Sequence, residues 1–148
     1  MKIFNKKLLQ YIKKPIKKWE EAIKVGSNLL IENNYVQNDF PTKIIKITND
    51  LGPYYILAPK LALLHIMPDS TILKTGISFT YFKIPVAFQE EKKYHIKYCL
   101  ALSAEDNFSH IELLQQIAKL FAKKEFLTDI KKCSSTIELI NIVKKYDN

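Results

Sequence analysis

Gly52-Pro53-Tyr54-Tyr55-Ile56-Leu57-Ala58-Pro59-Lys60-Leu61-Ala62-Leu63-Leu64-His65-Ile66-Met67-Pro68 is the stretch on which the reading of this chain turns. Between Pro59 and Pro68, Lys60 and His65 alone carry polar side-chain chemistry. Proline fixes φ and lacks an N–H, so the two prolines are expected to deny this segment a continuous helix or a central strand. The expectation is a rigid, exposed turn that presents one imidazole. Imidazole is largely neutral and nucleophilic near neutral pH, so a histidine placed there can act as a covalent carrier. The same local sequence also suits a packed histidine with one satisfied nitrogen among Leu, Ile and Met. Residues elsewhere in the chain must separate the two.

Upstream, Trp19, Ala22, Ile23, Gly26, Leu29 and Leu30 recur at helical spacing, with Glu20, Glu21, Lys24 and Asn28 opposite them. Gly26 inside that helix costs about 1 kcal/mol against alanine, which points to a close packing contact. Asn38-Asp39-Phe40-Pro41 opens a second helix with a capping residue and a proline in the first turn, and Gly52 stands just past its end. Tyr54-Tyr55-Ile56-Leu57 reads as a short strand leading to His65. Ile77, Phe79 and Tyr81, alternating with Ser78 and Thr80, read as a second strand, followed by a turn and a short strand at Pro85-Val86. His95 to Leu102 alternates and then becomes apolar, as a strand buried on both faces does.

After that strand, Ser109 and Glu112 have capping-box spacing, and Ile111, Leu114, Ile117, Ala118 and Phe121 form an apolar helical stripe. His110 therefore falls in the first turn of a helix that follows a buried strand, where free N–H groups and the helix dipole favour anions. Asp106 beside it reads as a cap more readily than as a partner that orients His110. Phe126, Leu127 and Ile130 give a short helix, and Ser135-Thr136-Ile137-Glu138 caps a last one. The sum is a single-domain α/β fold, a mixed β-sheet flanked by helices, over residues 19–148. Residues 1–18, lysine-rich with Leu8, Leu9, Ile12 and Ile16 and broken by Pro15, read as a basic N-terminal arm. Such an arm packs on the domain or serves as an oligomer contact, with a homodimer as the corresponding assembly.

Composition narrows the function. At 148 residues, 47% hydrophobic and 26% charged, the chain suits one globular domain. No apolar run approaches the roughly 20 residues of a membrane span, and the lysines interleaved near Met1 do not fit a secretory signal; a cytoplasmic location is expected. Cys99 and Cys133 have no CxxC spacing and read as reduced thiols. His65, His95 and His110 show no metal-ligand spacing, and no cofactor is called for. The net charge of +8 comes from 23 basic residues, all lysine. Lysine acts as a point charge, whereas bidentate phosphate or base recognition uses arginine, and the lysines are scattered. Nucleic acid is therefore not an expected partner.

The stretch from Gly52 to Pro68, with Lys74-Thr75-Gly76 and Lys83-Ile84-Pro85-Val86-Ala87-Phe88 after it, resembles IIA components of the sugar phosphotransferase system. The type is the mannitol/fructose one, and the resemblance is strongest to the ascorbate-specific branch. Ala101-Leu102-Ser103-Ala104-Glu105-Asp106-Asn107-Phe108-Ser109-His110 and Trp19-Glu20-Glu21-Ala22-Ile23-Lys24-Val25-Gly26 carry the same likeness. The resemblance implies that His65 accepts the phosphoryl group and His110 stabilises it. It further implies phospho-HPr as donor, a IIB component as acceptor, and a membrane IIC component through which the sugar, ascorbate or a related sugar acid, arrives. An apolar rim of Leu63, Leu64, Ile66 and Met67 is expected around the histidine. Similar proteins usually have Pro before the histidine and Gly then Arg after it, where this chain has Leu64, Ile66 and Met67. Lys60 stands where a glycine is common. Lys60 or Lys74 would then have to replace the arginine as point charges. With that arginine gone, the alternative is a regulatory or interaction module on the same fold with weakened phosphotransfer.

Overall fold

The computed structural model describes residues 1–148. Five strands, β1 (Leu9–Ile12), β2 (Ile56–Ala58), β3 (Leu61–Leu64), β4 (Gly76–Ala87) and β5 (His95–Ser103), make one mixed sheet in the order β1-β4-β5-β3-β2. β4 and β5 run antiparallel at its centre, β1 is parallel to β4, and β3 is parallel to β5. Helices α1 (Trp19–Glu32) and α2 (Phe40–Leu51) cover one face, and α3 (Asn107–Phe121), α4 (Lys124–Lys132) and α5 (Thr136–Tyr146) the other.

Both faces of the sheet are therefore core. Ala62 and Leu64 pack with Ile23, Leu30, Phe40 and Ile44 under the first helix pair. Leu63, Phe79 and Leu100 pack with Ile117, Phe126, Leu139 and Val143 on the opposite side. Each fully buried large apolar side chain contributes roughly 1.5–3 kcal/mol, and a one-residue slip would exchange the two sets. That exchange penalty fixes the register of β3 against β5, with Leu64 opposite Ala101.

Two local expectations are corrected. The segment between Pro59 and Pro68 is not a free turn: Leu61–Leu64 is a strand inside the sheet. Pro59 lies in the hairpin turn with Lys60, whose φ is +68°, and Pro68 lies beyond the strand, so neither proline removes a ladder donor. That positive φ is the physical reason a glycine suits position 60. Gly76–Ala87 is one continuous strand, its pairing with β5 shifting between Tyr81 and Val86, instead of two strands with a turn. Within the N-terminal segment, Leu9–Ile12 packs on the domain as the edge strand beside β4, and Phe4, Leu8, Leu9 and Ile16 are buried. Lysines on either side hide that strand in the sequence. Gly52 has φ +81° at the end of α2, as its position past the helix demanded.

Candidate functional site

Because β3 and β5 are parallel neighbours, their carboxyl ends open at the same edge of the sheet. His65 is the first residue past β3. β5 ends at Ser103 and leads within a few residues into α3, whose first turns carry His110. The topology thus brings together two histidines far apart in sequence, with ring centroids 5.4 Å apart at an interplanar angle of 70°.

Each is held from behind. His65 Nδ1 lies 2.6 Å from the Leu63 carbonyl oxygen. A carbonyl can only accept, so Nδ1 carries the proton and Nε2 keeps its lone pair. The Tyr54 hydroxyl donates to the His65 carbonyl at 2.6 Å, and the Tyr54 ring meets the imidazole edge-on at 5.4 Å. Burial pushes the Tyr54 phenol up to about 12, so it remains a donor throughout the physiological range. The sequence places Tyr54 in a strand with Tyr55, and nothing in its neighbours distinguishes the two; the structure puts both in the turn before β2. Tyr55 is fully buried and meets Thr48 instead.

α3 is capped by Asp106, whose carboxylate accepts from the Ser109 N–H at 2.7 Å. This bond holds Asp106 below the usual carboxylate range. The cap is thus Asp106 three residues before Ser109, not the Ser109–Glu112 box expected. Asp106 makes no hydrogen bond to the His110 ring. Burial first, and the neighbouring His65 second, hold His110 below the ordinary histidine value.

Two polar connections fix the loop between His65 and β4. Lys43 bridges Asp69 at 2.7 Å and Asp39 at 3.6 Å, while Thr71 bonds both aspartates. Nearer α3, the Thr75 N–H donates to the Glu105 carboxylate at 3.1 Å and the Glu105 N–H donates to the Thr75 hydroxyl at 3.0 Å. This reciprocal pair ties the strand that returns from His65 to the turn that launches His110.

The histidines share an open concavity of about 420 Å³ with Ile66, Met67, Pro68, Asn107 and Ile111. Its rim differs from the one expected. Leu63, Leu64 and Ile66 are buried in the cores, and of the four residues only Met67, 82% exposed, remains at the surface. Ile111, 56% exposed, joins it there, since the stripe of α3 facing the core runs through Ile117 and Leu120 instead. No lysine lines the concavity. Lys60 lies at the opposite end of β3, roughly 16 Å away at about 3.3 Å per residue, and the Lys74 ammonium sits 4.8 Å from the centre of the Tyr35 ring. His95 lies apart, bonded to the Glu90 carbonyl. No three His, Cys, Asp or Glu side chains gather in a way that would hold a metal ion. Chemically, an unprotonated imidazole nitrogen beside a second imidazole and a helix N-terminus suits an electrophile that brings negative charge.

Fold and site describe an α/β domain that presents a histidine pair at the carboxyl ends of two parallel strands. The chain belongs to the family described as phosphoenolpyruvate-dependent sugar phosphotransferase system, EIIA 2, whose profile matches residues 2–146. It is 36% identical over 129 residues to the mannitol-specific cryptic phosphotransferase enzyme IIA component of Escherichia coli, covering 87% of each chain. It is 28% identical over 128 residues to the ascorbate-specific EIIA component of the same organism, covering 86% of this chain and 83% of that one. The solution structure of the cryptic mannitol enzyme IIA superposes with a TM-score of 0.81 at 33% identity, over 97% of this chain and 95% of the other. At 18% identity, a mannitol enzyme IIA in complex with phosphorylated enzyme IIB shares the fold, with a TM-score of 0.78 over 98% and 99% of the two chains.

Proposed function

We propose that this protein carries a phosphoryl group as a phosphohistidine on His65, taken from phospho-HPr and passed to a IIB component. The observation that supports the reading is the His65 Nδ1–H bond to the Leu63 carbonyl, which leaves Nε2 as the nitrogen with a free lone pair, in a ring that shares one concavity with His110. In the transfer, the Nε2 lone pair attacks phosphorus in line. The bond between phosphorus and the donor imidazole breaks, and that imidazole departs with its electron pair. Positive charge gained by the His65 ring is eased by the Leu63 carbonyl, an oriented dipole that needs no rearrangement. His110, kept neutral by its surroundings, donates an N–H to a phosphoryl oxygen, and the amino end of α3 adds to the favourable field. Transfer onward to IIB reverses the same steps.

The sugar enters through a membrane IIC component and never meets this chain. We take ascorbate or a related sugar acid as the cargo; the relatives divide between a mannitol-specific one at 36% identity and an ascorbate-specific one at 28%. No helix is long and apolar enough to cross a membrane, and the carrier works on the cytoplasmic face, where HPr and IIB reach it. A homodimer is not needed for the chemistry.

The test is incubation with phosphoenolpyruvate, enzyme I and HPr, followed by detection of acid-labile, base-stable phosphate. Wild type is expected to label and His65→Ala to stay blank. Label that persists in His65→Ala would overturn the site. A wild type that takes up none would favour the regulatory reading, for which the lysine-free concavity is the supporting observation.

A further inference from the structure

Away from the histidine pair, α3 and the β2–β3 hairpin leave a groove of about 300 Å³ between them, lined entirely by apolar side chains. Leu57, Leu61 and Leu63 form one wall, and Leu114, Ala118 and Phe121 the other. It is open to solvent: Leu57 is 58% exposed, and Ala58, Ala118 and Ala122 are exposed as well. Apolar pockets of this size with a few polar groups at one end are the usual form of a small-ligand site.

The polar end is cationic. Lys60 sits in the turn between Ala58 and Leu61, both of which line the groove. Its carbonyl accepts from the N–H groups of Lys97 and Tyr98, which bulges β5 at this point and brings Lys97 alongside. Lys97 reaches across the Tyr81 ring at 5.9 Å, on the α3 and α4 side of the sheet. Partial burial first, then the charges of Lys60 and of Lys131 on α4, hold Lys97 below the ordinary lysine value. None of the three forms an ion pair, although Lys43, Lys93 and Lys145 each do. Lys60 and Lys97, both without an ion-pair partner and next to one end of an apolar groove, suit an anionic head on an apolar body.

We propose that this groove binds an amphipathic carboxylate, its alkyl chain lying between α3 and the β2–β3 hairpin and its head at Lys60 and Lys97. The inference is independent of phosphotransfer. It has a structural route to the histidines all the same, because Leu63 supplies both a groove wall and the carbonyl that holds His65 Nδ1, and α3 carries both Leu114 and His110.

Decanoate, decanol and acetate, titrated below the micellar range into the isotopically labelled full chain, separate the possibilities by amide chemical shift. Decanoate is expected to saturate, with shifts confined to residues 57–64, 97–98 and 114–122. Decanol should bind about tenfold more weakly and acetate not at all. Ala118→Trp fills the groove from an exposed position and should abolish binding with the dispersed spectrum retained. Lys60→Gln with Lys97→Gln should weaken decanoate about tenfold and leave decanol unchanged. Equal affinity for decanol, absence of saturation, or unchanged binding by Ala118→Trp would each overturn the proposal. So would concentration-dependent dimerisation abolished by Ala118→Trp, which assigns the groove to a second copy of this chain.

Discussion

His65 is fixed at two atoms, one on its ring and one on its main chain, and the two restraints do different work. The Leu63 carbonyl selects the tautomer, while the Tyr54 hydroxyl anchors the main chain that carries the ring. Tyr54→Phe keeps the aromatic edge against the imidazole and removes only the donor, at a stability cost of about 1 kcal/mol. The expected outcome is phosphoryl uptake slowed severalfold with the same label chemistry, measured by single-turnover transfer from phospho-HPr. A rate equal to wild type would leave Tyr54 as packing alone. His110 supplies a second residue-scale prediction. Its folded value lies below the ordinary 6.5, mainly from burial and then from His65. The unfolded chain therefore binds its proton more readily than the native protein does, so native stability is greatest above about 6.5 and declines as pH falls from there toward the folded value. Imidazole proton shifts followed against pH should place His110 below 6.5. Replacing His65 by glutamine should raise it part of the way, because burial persists.

The elements differ in how openly the chain declares them. α1 was legible from its apolar period, and α2 and α5 because each joins such a period to an end signal: Pro41 with Gly52, and Ser135 with Glu138, the Ser135 hydroxyl accepting from the Glu138 N–H at 3.1 Å. β3 was not, since a four-residue strand between two prolines looks like a turn until β5 is known to lie beside it. β1 has the same difficulty among lysines, where its partner β4 lies some seventy positions along the chain. The histidine pair was legible as two separate residues, and the rim was not, because the side of α3 that faces solvent depends on how the helix seats on the sheet. Packing of α1 on the sheet gives an element-scale prediction. A Cβ on Gly26 would stand 2.7 Å from Cys99 Sγ and 3.2 Å from Leu64 Cδ1. Both neighbours are buried without room to retreat, so Gly26→Ala should lose about 1–3 kcal/mol in urea unfolding despite alanine's better helix propensity. In a Cys99→Ala background the same substitution should lose much less, and a purely additive double mutant would refute the contact as the cause.

At the scale of the whole molecule, the two ends of the chain close on each other through Asp147. The residue is 3% exposed, and its carboxylate accepts from the Ile3 N–H at 2.8 Å and the Phe4 N–H at 2.9 Å. The Lys2 N–H donates to the Asp147 carbonyl at 3.2 Å. Phe4 then enters the core beneath β4, and the Tyr11 N–H donates to the Thr136 hydroxyl at the start of α5 at 3.0 Å. An edge strand of four residues has little hold of its own, so its place beside β4 depends on these ties to the last helix. Asp147→Ala strands two amide donors in a buried setting, which costs about 1–3 kcal/mol. The loss should be local before it is global: amide hydrogen exchange of Leu9–Ile12 should speed up well ahead of that of β4 and β5, with the His65 and His110 resonances unmoved. Asp147→Asn keeps one acceptor oxygen and should fall between the two. If β1 instead keeps wild-type protection in Asp147→Ala, the pairing with β4 holds it alone, and the closure of the termini is incidental to the fold.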